Sequence, residues 1–470
     1  MKIIKTVKLK ITSHTSIFND TVAIYNQALS VLIDVINKEW SDLVELKSKE
    51  KINLTEKLIN TTSKNPNPKY SEFNKKFYKF PSYFRRACIS EAIGVVSSHQ
   101  SRYENWLAKK EKKLSSGKKF YEKPPTLQLN HKAFPVFYKS NMFKKLSDNQ
   151  AQIKIFKDND WKWITITFNH KNLKNRDLEE FKELNPTLVK KGKKYFLHIP
   201  FEGNIKLNST SLKEQIAIGV DLGLTNSAVC SAVKSDGTII GRTFINQPIE
   251  KDRLKTKVNK LSKAKKLTGT INKKPNYWRK INDLNNHIAQ DTANKIVGFA
   301  IKHNATHIIF EYLGNMKAPK GFYGAKKLRF KLQYWAKLKI QHLTIQKAHI
   351  NKIRVSRVLA RGTSKYAYDG SGELKRGSKK DIATFKNGKI YHSDLSASYN
   401  IASRYFTRAI SKTLSEKVRL DCEAKVPHFS NRTNHTLSTL IKLQEVVNSI
   451  NKTSVSRILG KEAPSITRSV

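Results

Sequence analysis

The run Gln215-Ile216-Ala217-Ile218-Gly219-Val220-Asp221-Leu222-Gly223-Leu224-Thr225-Asn226 decides how this chain folds. Its apolar half reads as a strand. Asp221 is unexpected at the end of such a run, and the adjoining Gly223 leaves the backbone open to a ligand. Downstream, Ser227 to Val233 and Thr238 to Ile245 read as two more strands, with Asp236-Gly237 as the tight turn between them. A lysine-rich helical stretch follows from Glu250 to about His303, then a strand from Thr306 to Tyr312 and a helix from Leu328 to Ala348. A strand over Lys352 to Val358 precedes a final helix that opens near Asp394.

The order β-β-β-α-β-α-β-α is that of the ribonuclease H fold, in which the fourth strand lies parallel to and beside the first. Upstream the pattern differs. Lys2 to Ile11 alternates like a strand, and Asn19-Asp20-Thr21 offers an N-cap to a helix carrying Ile24, Ala28, Val31, Leu32, Val35, Ile36 and Trp40 on one face. A second helical region runs from about Pro81 to Lys110, and the lysine-rich stretch from Ala108 to Pro125 reads as a connector. Gln152 to Phe156, Trp161 to Phe168 and Lys193 to Pro200 alternate with period two, which predicts a small β-barrel interrupted by the helical segment.

Lys and Arg number 89 against 37 Asp and Glu, a formal charge of +52 on 470 residues. A hydrophobic fraction of 39% excludes a mostly disordered chain, so the excess charge calls for a polyanion, and nucleic acid is preferred to a membrane surface. No stretch approaches the roughly 18 apolar residues that cross a bilayer, and the N-terminus has no continuous apolar segment, so a soluble, cytoplasmic protein is expected. Cys88, Cys230 and Cys422 form neither a disulfide framework nor a CxxC knuckle.

The strand order would bring Asp221 and Glu311 together at the ends of neighbouring strands, and Asp394 would join them if the last helix crosses the same edge. Three acids in so basic a chain imply a cation between them, and hard oxygen ligands favour Mg²⁺ or Mn²⁺. A pair of such ions about 3.5 to 4 Å apart cleaves phosphodiesters. Asp394 as a simple N-cap and Glu311 as a solvated strand end are the plainer alternatives.

Gly219 to Asn226, Ile308-Ile309-Phe310-Glu311, and Asp394-Leu395-Ser396-Ala397-Ser398-Tyr399-Asn400-Ile401 resemble the three RuvC motifs of TnpB proteins and of the compact type V CRISPR effectors. The resemblance covers nearly the whole chain. It implies an α/β multidomain protein: a ribonuclease H-like RuvC nuclease domain (211–362 and 393–410), a wedge β-barrel (1–18 and 125–210), and an inserted helical recognition lobe (19–124). A target-strand-loading insertion (363–392) and a basic C-terminal tail (411–470) complete the expected layout. It further implies an RNA-guided DNA endonuclease, monomeric or homodimeric, that binds guide RNA and double-stranded target DNA after recognising a short flanking motif, associating with the nucleoid when on target. One departure stands out. Members typically carry two CxxC pairs after a Thr-Ser dipeptide; here Thr363-Ser364 is present but Lys365 to His392 has no cysteine, so no zinc is expected. The turns Asp369-Gly370 and Asn387-Gly388 suggest hairpins without metal.

Candidate nucleic-acid contacts are Tyr78, Tyr83, Arg85 and Arg86 in an aromatic and basic stretch; Lys255, Lys257, Lys260, Lys263, Lys265, Lys266 and Arg279 in a basic run; and Arg361 and Arg404. Most aromatics from Tyr70 to Phe84 could equally be core. Two other functions compete: a protein of the same fold that binds DNA without cutting it, and an actin-like or sugar-kinase-type ATPase, for which Asp369-Gly370-Ser371 would be a second phosphate loop.

Overall fold

A computed structural model describes residues 1–13, 16–169, 180–268, 275–314, 321, 335–377 and 381–459. The chain divides into two compact units, Lys2–Asn204 and Met1 with Ile205–Val470.

In the first unit, β1 (Lys2–Lys10) pairs antiparallel with β7 (Lys194–Asn204) from Lys2 opposite Asn204 to Lys10 opposite Phe196. The short strands β5 (Lys182–Glu183) and β6 (Thr187–Lys191) also pair with β7. A second sheet holds β2 (Phe143–Lys145), β3 (Gln150–Lys157) and β4 (Asp160–Thr167), the last two joined through Asp158 and Asn159 at φ of 53° and 55°, a turn that Asp and Asn tolerate well. Between β1 and β2 lie α1 (Phe18–Lys38), α2 (Trp40–Leu43), α3 (Ser48–Ile59), α4 (Glu72–Lys76) and α5 (Ser82–Ser115). Strands and helices share one apolar core, in which Val7 and Leu9 join Leu29, Phe84 and Trp161, so the helical segment has no separate core of its own.

The expected N-cap at Asn19-Asp20-Thr21 is displaced. Helix α1 begins at Phe18 after Ile17, with no side-chain cap. Asn19 instead accepts from Tyr195 Oη at 2.8 Å and Lys190 Nζ at 2.7 Å, a pairing across the unit that local sequence does not reveal.

In the second unit five strands stand in the order β10 (Ile239–Ile245), β9 (Ala228–Lys234), β8 (Ile216–Asp221), β11 (His307–Glu311), β12 (Arg354–Val358). The first two pairings are antiparallel and the last two parallel, the ribonuclease H arrangement. Both faces are covered. Ile218, Val220, Ile308 and Phe310 pack with α7 (Pro275–Lys302) and α8 (Lys337–Ile350), while Ala217, Val229 and Ile309 pack under α9 (Ser393–Thr413). Such two-sided burial explains the unbroken apolar run that opens β8. The lysine-rich stretch is two helices, α6 (Pro248–Thr268) and α7. The expected helical residues 328–334 lie outside the described ones.

Helix α9 is not the last element. α10 (Glu416–Lys425) and α11 (Leu437–Leu459) follow, and Cys422, Leu437, Leu440 and Leu443 are buried against α9, so this segment is helical and packs on the domain rather than forming a tail; 460–470 lie outside the described residues. The three cysteines are buried and free.

Candidate nucleic-acid cleavage site

Parallel pairing sets Phe310 opposite Val220, so Asp221 and Glu311 follow side by side at the carboxyl ends of adjacent strands, where open α/β sheets place their sites. Asp394 arrives from the other direction. It is the second residue of α9, and His392, which precedes the helix, makes no side-chain cap; Asp394 is therefore not the N-cap. What holds α9 down is Gly219. A Cβ there would overlap the Ser398 carbonyl oxygen and meet Ala402 N at 2.9 Å, so the helix backbone rests directly on the strand. Gly223 closes the arrangement: a Cβ built on it would lie 3.9 Å from Asp394 Oδ2.

The electrostatics agree with this placement. Burial, then the charges of Glu311 and Asp394, push the Asp221 carboxyl well above the usual range, with Arg376 opposing. Burial raises Glu311 too, offset by the Thr363 hydroxyl and by Arg404. Asp394 is raised by burial, against His392, Ser393 and Arg376, which favour its charged form. Among the described residues no three His, Cys, Asp or Glu side chains form a ready-made cation cage. The donor chemistry nevertheless fits a hard cation: all-oxygen ligands, mutually repelling, half-buried, with the Asp221 carboxylate receiving no hydrogen bond from the described residues.

Several supporting residues escaped the sequence reading. Thr363 Oγ1 donates to Glu311 Oε1, and Gln341 Nε2 donates to the Glu311 carbonyl at 2.9 Å. Buried Asn400 donates to the carbonyls of Thr363 (3.0 Å) and Tyr366 (2.9 Å) and accepts from Leu437 N (3.1 Å), pinning the Thr363 loop to α11. The signals were the Thr-Ser dipeptide and the Asn inside the third motif, both legible only as motif letters.

The insertion forms a three-stranded sheet, β13 (Lys375–Arg376), β14 (Ile382–Thr384) and β15 (Ile390–His392). Its centre is aromatic: Tyr368 packs on Phe385, Tyr391 and Tyr399 with ring centroids 5.6, 5.2 and 5.2 Å away. Lys389 Nζ sits 4.9 Å over the Tyr368 ring. Both expected glycine turns are present, Gly370 and Gly388 at φ of 79° and 84°. Asp369 is occupied by Ser371 N and Asn387 Nδ2, so it caps a turn and offers no phosphate loop.

The candidate nucleic-acid contacts divide. Tyr78 is 76% exposed. Tyr83 packs against the core and Tyr138, while Phe73, Phe77, Phe80 and Phe84 are buried, so the core reading holds for most of that stretch. Arg85 is nearly buried and shares Glu56 with the more open Arg86, which leaves Arg86 the better placed of the two to meet a phosphate. Arg404 is a correction. It is 4% exposed and donates to the carbonyls of Leu359, Arg361, Thr433 and His435 at 2.5 to 3.2 Å, burial pushing its pKa down to about 10; it braces the fold and touches no solvent-borne phosphate. Lys255, Lys260, Lys263, Arg279 and Arg361 are exposed and Lys257 partly so. The side chains of Lys265 and Lys266 lie outside the described residues. Arg253, Lys257, Lys260 and Lys280 line a groove between α6 and α7 of about 780 Å³ that also presents Tyr277.

Residues 4–157 match the Aq_aa04 family. Over 275 residues the chain is 24% identical to a TnpB-like protein, aq_aa05, of Aquifex aeolicus, a match covering 54% of this chain and 88% of that one. Solved structures to which it is similar include a Cas12f1–sgRNA–target DNA complex (16% identity, TM-score 0.46, 85% of this chain and 99% of that one). Another is CasPhi-2 (Cas12j) bound to crRNA (10%, 0.42, 86% and 98%). The chain is thus similar in sequence to a TnpB-like protein. Among the described residues no helix is long and apolar enough to cross a membrane.

Proposed function

We propose that this chain is an RNA-guided DNA endonuclease, acting in the cytoplasm, that hydrolyses target DNA at Asp221, Glu311 and Asp394 after reading a short flanking motif. The observation that carries the cleavage is the convergence of three acids on one edge of a ribonuclease H sheet, close enough that Glu311 and Asp394 both raise the proton affinity of Asp221. The charge of +52 and the open basic groove between α6 and α7 support polyanion binding. The guide and the flanking motif rest on the resemblance of the three motifs and on the likeness to a TnpB-like protein.

Asp221, Glu311 and Asp394 would hold Mg²⁺ or Mn²⁺, which when bound supplies an activated water and charge stabilisation for the leaving oxygen. The protein's own part is positional. Thr363 favours the charged form of Glu311 against its burial and fixes its rotamer, Gly219 sets the height of Asp394, and Arg376, held by a 2.9 Å bond to the Ser364 carbonyl, brings positive charge to the acids from the insertion. Alanine at any of the three acids should abolish guided cleavage by the protein and its co-purified RNA while leaving DNA binding intact. Three variants cutting at the wild-type rate would sink the assignment.

A further inference from the structure

The connection from β8 to β9, residues 222–227, belongs to no helix or strand, yet it borders two of the three acids. It leaves directly from Asp221, and a Cβ built on Gly223 would lie 3.9 Å from Asp394 Oδ2. Among the described residues, no backbone-to-backbone hydrogen bond holds residues 222–226. Their anchor is a side chain. Lys251 Nζ donates to the carbonyls of Leu224 (3.3 Å) and Thr225 and to Asn246 Oδ1 (3.0 Å). Lys251 is the fourth residue of α6, at the end of a helix where the macrodipole disfavours a cation, and the three oxygens offset that placement. The far end of the connection is tied as well. Ser227 Oγ donates to Gln247 Oε1 at 2.6 Å, and Gln247 Nε2 donates to Asp291 Oδ2 and Thr292 Oγ1 of α7 at 2.8 and 3.0 Å.

We infer that Lys251 is a positioning residue for the cleavage site: its ammonium pins the connection, and through Gly223 the spacing between Asp221 and Asp394. The inference rests on the nuclease reading. An ammonium has three protons to donate and three acceptors surround this one, so its part is to hold the backbone and not to meet a phosphate. Lys255 and Lys260 of the same helix, by contrast, are exposed. Without Lys251 the span from Asp221 to Ser227 is fixed at its two ends alone, and Gly223 can shift against Asp394. Leu224 and Thr225 are exposed, so carbonyls released by a substitution take water in exchange and the fold survives.

The test uses the full chain with its co-purified RNA. Lys251→Met should slow single-turnover guided cleavage about 10- to 100-fold, as loss of an outer-shell partner does, and raise the Mg²⁺ concentration at half-maximal rate. Guided DNA binding and melting temperature should stay unchanged. Lys251→Cys should behave alike, and alkylation with bromoethylamine, which rebuilds a lysine-length ammonium, should restore the rate; the native cysteines are buried, and wild type treated in parallel is the control. In EDTA, chymotrypsin should nick Lys251→Met after Leu224 faster than wild type. Should methionine unfold the chain, Lys251→Gln, which keeps a neutral donor, takes the same readings. A wild-type rate and Mg²⁺ dependence, or a loss that alkylation does not recover, overturns the inference. A wild type that never cuts guided DNA refutes the nuclease reading instead, and the hold on residues 222–227 is then decided by nicking, equal rates refuting it.

Discussion

Replacing Gly219 by alanine should disturb the three acids without altering any of them. The added Cβ would overlap the Ser398 carbonyl oxygen and lie 2.9 and 3.0 Å from Ala402 N and Cβ. Two of these neighbours are helix backbone, so no rotamer change relieves the clash. To reach ordinary contact, α9 must lift by on the order of 1 Å, taking Asp394 with it. Overpacking of this kind costs about 1–3 kcal/mol, partly offset by the roughly 0.5–1 kcal/mol that alanine gains over glycine within a strand. Stability should therefore fall by about 1–2 kcal/mol in urea titrations. Cleavage should fall much further, about 10²-fold, because misplacing a reacting group by 1 Å costs that much. Gly298 in α7 is the control: a Cβ there meets nothing within 4 Å, so Gly298→Ala should stabilise by up to about 1 kcal/mol and leave cleavage unchanged. A Gly219→Ala protein matching wild type in both assays would refute the claim that this contact sets the site.

Four further outcomes are expected. Burial and neighbouring acids raise the Asp221 pKa in the fold, so the folded state binds its proton more tightly than the unfolded one, and metal-free stability should decline as pH rises from about 4 through the raised native value; Asp221→Asn should accordingly raise the neutral-pH melting temperature of metal-free protein while ending cleavage, and a lower melting temperature would contradict this. Thr363→Val removes the donor to Glu311 at nearly constant volume and should slow cleavage about 10- to 100-fold with nucleic-acid affinity unchanged, as measured by filter binding. Arg404→Met strands buried carbonyls and should cost about 3 kcal/mol or more in denaturant unfolding, whereas Lys260→Ala, at an exposed residue proposed to meet phosphate, should leave stability alone and flatten the salt dependence of binding. A zinc chelator should leave the fold intact, and about one tightly held zinc per chain in elemental analysis would contradict an insertion built on Tyr368, Phe385 and Tyr391.

The central sheet was legible because its signal is local. Apolar runs, an Asp-Gly turn and acids at strand ends are read in a window of ten residues, and the right hand of parallel crossovers then leaves few ways to order the strands. Partnerships between distant segments were not legible. Asn19 has the residue type of an N-cap, yet its oxygen goes to Tyr195 and Lys190, more than 170 residues away. Arg404 looks like any cation on a basic chain; only the fold gathers the carbonyls of Leu359, Arg361, Thr433 and His435 around it. The helices after α9 were missed for a related reason. Few apolar residues mark α10, and in α11 Leu437, Leu440 and Leu443 gain their place only once the outer face of the sheet needs a cover.

The insertion sharpens that distinction. Its sequence shows which ligands are missing, and ligand spacing is a local property, so the expectation of no zinc needs no structure. What packs the insertion is not local, because Tyr399 belongs to α9 while Tyr368, Phe385 and Tyr391 lie on separate parts of the insertion. A metal would bind the hairpins to each other; the aromatic cluster binds them to the helix that carries Asp394. Tyr391 Oη, 3.0 Å from Tyr399 Oη, and Asn400, which holds the Thr363 loop, extend the same connection. Rigidity that a closed metal site would keep within the insertion is therefore shared with the acids. Loosening the aromatic cluster should reach cleavage through Asp394 and Arg376, even though no member of the cluster is an acid or a cation.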